Sequence, residues 1–208
     1  MSRPVLFRLA LVVAAVAALP IGSFADGQTK NAHEPVYTSD GRIIPPKDYR
    51  EWVFLSSGLD MSYNKKAIAS DKPVFDNVFV NPEAYRVFRQ TGTWPDKTQF
   101  VLEVRSSSSK GSINQRGHFQ STDVLGFEMH VKDMARFDRG WAFFDVDGNA
   151  PAAKIPTTAT CYACHGEHAA VDTTFVQFYP TLLPIAQKQA TLSASYLKDE
   201  AELAKTVH

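Results

Sequence analysis

Short runs of period-two alternation recur along the chain. In "LGFEMHV", residues 125–131, the apolar Leu125, Phe127, Met129 and Val131 alternate with Gly126, Glu128 and His130. One face of this segment therefore meets a core and the other meets something else. Residues 51–55, 77–80, 98–105 and 141–146 are likewise short, rich in aromatic and β-branched side chains, and bounded by Gly, Pro, Asp or Ser, which predicts strands. Helical signals are sparser. Asn81-Pro82-Glu83 supplies an N-cap, a proline for the first helical position and an acid for the first turn, and the segment closes at Gly92. A second helix is expected from Thr160 to about Ala170. The run "DEAELAKTVH" from Asp199 is expected as a solvent-facing terminal helix or a frayed tail. The polar stretch 106–117, "SSSSKGSINQRG", is expected as a hairpin loop.

The N-terminus departs from this pattern. Arg3 and Arg8 give a basic start, Leu9 through Leu19 is unbroken apolar, and Ser23-Phe24-Ala25 offers small residues for cleavage. This predicts a secretory signal peptide over 1–25 and a periplasmic protein, since the apolar run falls well short of the roughly 20 residues of a spanning helix. Its removal leaves 20 basic residues against 22 acidic ones, a near-neutral chain with no nucleic-acid footprint and no expected membrane association after cleavage.

Both cysteines of the chain lie in "TCYACHG", residues 160–166. Export favours disulfides, yet a bridge across three residues removes little chain entropy. On a helix Cys161, Cys164 and His165 share one side. Two thioether bonds to haem vinyl groups would then leave the imidazole directed at the iron, the c-type attachment pattern. Zinc would need a further ligand and usually a second ligand pair, and a thioredoxin-like pair would need a βαβ context that is not found. The expected cofactor is one covalent haem c per chain, with His165 the metal ligand. No methionine follows the motif. Met61, Met129, Met134, His118 and His130 precede it and could in principle reach back as a sixth ligand, while His168 is too close in sequence to reach the opposite haem face. A five-coordinate iron with an open distal site is the simpler expectation, and the strands exclude a four-helix bundle.

The blocks "KDYREWVFL", "VNPEAYRVFRQTGTWPDKT", "LGFEMHVKD", "GWAFF" and "CYACHGEHAAVDTTFVQFYPTL" resemble the cytochrome P-460 family, including its cytochrome c-prime-beta relatives. The resemblance implies an α+β fold, mainly antiparallel sheet with a few helices, one carrying the C-terminal haem motif, and a homodimer. With the signal peptide (1–25), the chain divides into an N-terminal extension (26–45), a haem domain (46–190) and a C-terminal tail (191–208).

The family's hydroxylamine-oxidising members carry a lysine cross-linked to the haem, and ungapped alignment from Thr91-Gly92 places Leu102 there; Lys97 and Lys110 are not expected to reach the same haem edge. Glu128 matches a glutamate that moves protons over the haem in those members. In the c-prime-beta relatives phenylalanines cap the distal face, and Phe75 and Phe79 are the candidates in this chain. The expected function is binding of nitric oxide or a related small nitrogen species. The alternatives are an oxidoreductase acting on hydroxylamine or nitric oxide, with Glu128 as proton acceptor and a periplasmic redox partner, and an electron-transfer cytochrome.

Overall fold

The computed structural model describes residues 32–63 and 66–206, which belong to one compact unit; the expected signal peptide lies outside them. Among the described residues the chain begins with a small antiparallel hairpin, β1 (Val36–Tyr37) with β2 (Ile43–Ile44). Ile43 is fully buried and its backbone exchanges hydrogen bonds with Ala152, so this part of the N-terminal extension contributes to the core.

The body of the fold is one antiparallel meander. Its strands are β3 (Val53–Leu59), β4 (Val74–Val80), β5 (Gln99–Ser108), β6 (Phe119–Lys132) and β7 (Trp141–Asp145), each paired with the next. All five expected strands form. β5 runs into the polar stretch as far as Ser108 and β6 begins earlier than expected, at Phe119, because Ser107 and Ser108 pair with Gln120 and Phe119 after a register shift. A strand edge can be polar where neither face meets a core, so composition alone hides its end.

Helix α1 (Pro82–Thr91) bridges β4 and β5. Asn81 precedes it as expected, yet its side chain does not cap the helix: Oδ1 accepts the backbone N–H of Gln99, tying the helix start to β5. Gly92 ends α1 at φ 71°, and a Cβ there would meet Thr191 and Gln189 at under 3 Å. Helix α2 (Thr160–His168) carries the cysteine motif. It is followed by α3 (Leu183–Lys188), which the sequence pattern did not mark, and α4 (Ala194–Thr206). α4 starts five residues before Asp199 and docks through Tyr196, which is buried in the core; from Asp199 on it is the solvent-facing helix expected and not a frayed tail.

The pleat sends alternate side chains to two cores. Val101, Phe127, Met129, Val131, Ala142 and Phe144 pack with Ile43 and Trp52 on one face. On the other, Val80, Phe100 and Trp141 pack with Phe88, Trp94, Tyr179 and Leu182 of the helical layer. That second core fills only part of its face. The rest is open.

Candidate functional site

The open part of the helical face is the floor of a cavity of about 340 Å³, within the range of small-ligand pockets. Strand register sets the floor in rows. Ser56, Val78, Leu102 and Glu128 follow one another across β3 to β6, with Asp145 opposite Glu128 on β7. Gly58, Asp76, Val104 and Gly126 form the next row. Leu102 and Glu128 are thus direct cross-strand partners, and both line the cavity.

His165 of α2 forms part of the wall. Its Nδ1 lies 2.7 Å from the carbonyl oxygen of Thr173, which has no proton to give, so Nδ1–H is the donor. That bond fixes the tautomer and leaves Nε2 with a free lone pair. Burial pulls the imidazole below its ordinary pKa, against the opposing effect of the Thr173 carbonyl, and so favours the neutral ring that binds metal.

α2 is fastened on both sides. Tyr162 donates from its hydroxyl to Ile155 O at 3.1 Å and accepts the N–H of Phe143 at 3.3 Å, pinning the helix to β7. After the helix, Ser193 donates to Ala169 O and Gln177 accepts the N–H of Ala170. Cys161 and Cys164 are half-buried, unbridged thiols on the same helix. They do not line the cavity themselves, but Cys164 lies near enough to Tyr63, which does, for its charge to add to the burial that raises the Tyr63 pKa.

Phe75 and Phe79 do not cap this cavity. The pleat that turns Asp76 and Val78 inward turns both phenylalanines to the opposite face. There Phe79 packs edge-on against Tyr49 and Phe54, each at 5.6 Å. The aromatic surfaces of the cavity come from Phe100, Phe143, Phe175, Phe178, Tyr63 and Tyr179 instead. Asp76, which was not singled out, and His130, considered only as a sixth ligand, both belong to the site. Asp76 is a second carboxylate on the floor. His130 is fully packed: its ring stacks on Phe143 at 4.0 Å, stands edge-on to His165 at 5.3 Å, and its Nε2 meets Thr173 Oγ1 at 3.1 Å. Burial holds His130 neutral, well below its ordinary pKa. Of the methionines considered as iron ligands, Met61 has its side chain over the floor: its sulfur lies 2.6 Å from where a Cβ on Gly58 would stand, so the glycine makes room for it.

Both floor carboxyls are raised above the ordinary range. For Glu128 the causes are burial, then the charges of Asp145 and Asp76; for Asp76 they are burial, then Asp60.

The Cytochrome P460 family model matches residues 46–176, from before β3 through the motif to Val176. The chain belongs to the cytochrome P460 family. Among curated proteins none matches it. Membership makes this a haem protein, and the cavity fits one. It presents an apolar wall, a buried imidazole with one nitrogen held and the other free, and two unbridged thiols one helical turn apart beside it. A zinc site fits less well, since among the described residues no group of three or more His, Cys, Asp or Glu side chains converges. The P460 match spans Leu102 and Glu128, which face each other across the β5–β6 pair.

Proposed function

We propose that this member of the cytochrome P460 family is an exported, periplasmic c-type haem protein that binds nitric oxide or a related small nitrogen species at an open iron site. In this reading haem is attached through Cys161 and Cys164, and His165 Nε2 is the one protein ligand. The single observation that carries it is the His165 Nδ1–Thr173 carbonyl hydrogen bond at the cavity wall, which prepares the free nitrogen for a metal.

When bound, the haem iron supplies a vacant coordination position and a one-electron redox couple. The chain's residues do the rest. Thr173 and Phe143 orient His165. Leu102, Val78 and Val104 give the floor an apolar strip that favours an uncharged diatomic. Leu102 has no amine with which to cross-link the macrocycle. The homodimer expected of the family is part of this reading.

A second reading, oxidation of hydroxylamine or nitric oxide with electrons passed to a periplasmic partner, is favoured by Glu128. Its carboxylate stands on the floor with a raised pKa, as a proton acceptor for a bound N–H or O–H group requires.

The deciding experiment is an absorption spectrum of the reduced protein before and after nitric oxide, with an intact mass. A polypeptide heavier by one haem, high-spin when reduced and responsive to nitric oxide without loss of a side-chain ligand, is the expected result. A low-spin reduced spectrum insensitive to nitric oxide would overturn the open-site reading, and rapid hydroxylamine turnover would favour the second.

A further inference from the structure

The floor of the cavity carries Asp76 on β4 and Glu128 on β6, on either side of the apolar pair Leu102 and Val104 of β5. Each is backed by another acid: Asp60 is near enough to act on Asp76, and Asp145 stands directly opposite Glu128. No lysine or arginine occurs among the described residues that line the cavity. The position facing Glu128, where a cation would neutralise it, is Leu102. Like charges on neighbouring and diagonal strand positions oppose folding. Their presence on a floor whose other positions, Ser56, Gly58, Val78, Leu102, Val104 and Gly126, carry no charge calls for a role at the site.

We infer that Asp76 and Glu128 act together as a charge selector on the floor of the haem cavity, admitting small neutral or cationic nitrogen species such as nitric oxide, hydroxylamine and hydrazine and turning away anions such as azide and nitrite. The inference rests on the reading that haem binds here through His165. An incoming anion meets two carboxylates in a partly enclosed space, with no compensating cation among the described residues that line it. At the effective dielectric of such a site, a unit charge several ångströms away changes affinity on the order of tenfold. A neutral diatomic feels almost none of this. A protonated amine is attracted, and either carboxylate can accept its proton as the nitrogen lone pair is freed for the iron. Asp76 is thus a specificity-determining residue, with a part distinct from that of Leu102, which sets the shape and dryness of the floor.

The test is optical titration of the haem-loaded protein at about pH 8, above the ordinary carboxylate range, with azide on the oxidised form and carbon monoxide on the reduced form. The ratio of the two affinities separates charge from shape. Asp76→Asn and Glu128→Gln are each expected to raise azide affinity relative to carbon monoxide by about tenfold, and the double variant by more. In the unaltered protein azide affinity should rise with ionic strength, because salt screens the repulsion. This arm needs no variant, and so remains decisive if a substitution disturbs folding. An azide-to-carbon monoxide ratio that is the same in all forms, with no salt dependence, overturns the selector while leaving haem binding intact. Failure of the reduced protein to respond to carbon monoxide at all overturns the haem-site reading itself, and the selector with it.

Discussion

Phe143 links the stability of the fold to the orientation of the iron ligand, and replacing it tests both at once. Its ring is 7% exposed. It stacks on His130 at 4.0 Å with an interplanar angle of 11°, meets His165 at 4.6 Å, and meets Tyr162 edge-on at 4.9 Å. Phe143→Ala removes all three contacts and leaves a void that β7, held by its pairing with β6, is poorly able to close. Phe→Ala in a packed core costs about 3–5 kcal/mol. The aromatic pairs, worth about 0.5–1.5 kcal/mol each beyond area burial, place this site toward the upper end. For a domain of this size about 1 kcal/mol lowers the melting temperature by roughly 2–4 °C, so a fall on the order of 10 °C is expected. Thermal and urea unfolding of the haem-loaded protein measure it. The reduced spectrum reads the second consequence, because His165 keeps its Thr173 bond but loses the ring that limits its tilt; Phe143→Leu should restore most of the stability and only part of the spectrum. A loss below about 1 kcal/mol, with an unaltered spectrum, would refute the packing argument and the positioning role together.

Three further outcomes follow from the site. The double substitution Cys161→Ser and Cys164→Ser is expected to make the haem extractable by acid, whereas the unaltered protein should retain it; extraction from the unaltered protein removes the covalent reading. Met61→Ala should leave the reduced spectrum unchanged if Met61 only packs over Gly58, and a low-spin spectrum lost in this variant would revive the electron-carrier alternative. Leu102→Lys places an amine directly across from Glu128 and should give, in some molecules, a shifted spectrum and a haem that mass spectrometry finds joined to the β5 peptide.

How much of this was legible in the sequence depends on whether the signal was local. The five strands and α1 were, because alternation and cap chemistry are properties of neighbouring residues. The motif was, because helical spacing alone puts Cys161, Cys164 and His165 on one side. So was the alternation of β6: its second face, left as "something else", is the cavity floor that carries Glu128. What failed was parity between strands. "VFDNVFV" has large apolar residues on both sides of the pleat, and the resemblance to relatives with phenylalanine-capped pockets suggested Phe75 and Phe79. Only the pairing of Val78 with Leu102 shows that the smaller Asp76 and Val78 face inward. His130 was unresolved for a related reason, since its neighbours Thr173 and His165 come from a segment more than thirty residues away. α3 was hidden by its proline, which sits at a first-turn position where it is tolerated.

The two floor acids also leave a mark on stability. Asp76 and Glu128 have pKa values raised in the folded protein, chiefly by burial. The folded state therefore binds protons at these groups more tightly than the unfolded chain does, so stability falls as pH rises from the ordinary carboxylate range, about pH 4, through the raised folded values. Glu83 and Glu103 act in the opposite sense. Despite the opposing effect of burial, their carboxylates are held below the ordinary range, Glu83 by backbone and His33 hydrogen bonds and Glu103 by Arg105, Tyr49 and Arg50. Their stabilisation is present above the ordinary range and lost as pH falls through the lowered folded values. Because these two are unaltered in a floor variant, the difference between the unaltered protein and Asp76→Asn/Glu128→Gln isolates the floor. The double variant is expected to be the more stable protein at neutral pH, with a gain that shrinks as pH drops and vanishes below the ordinary carboxylate range, about pH 4, where the floor carboxyls are neutral in both states. Melting temperatures of the two proteins across this range, at one ionic strength, measure the difference. A double variant that is less stable at neutral pH would mean that the carboxylates are satisfied where they stand, and that the site holds its negative charge without cost to the fold.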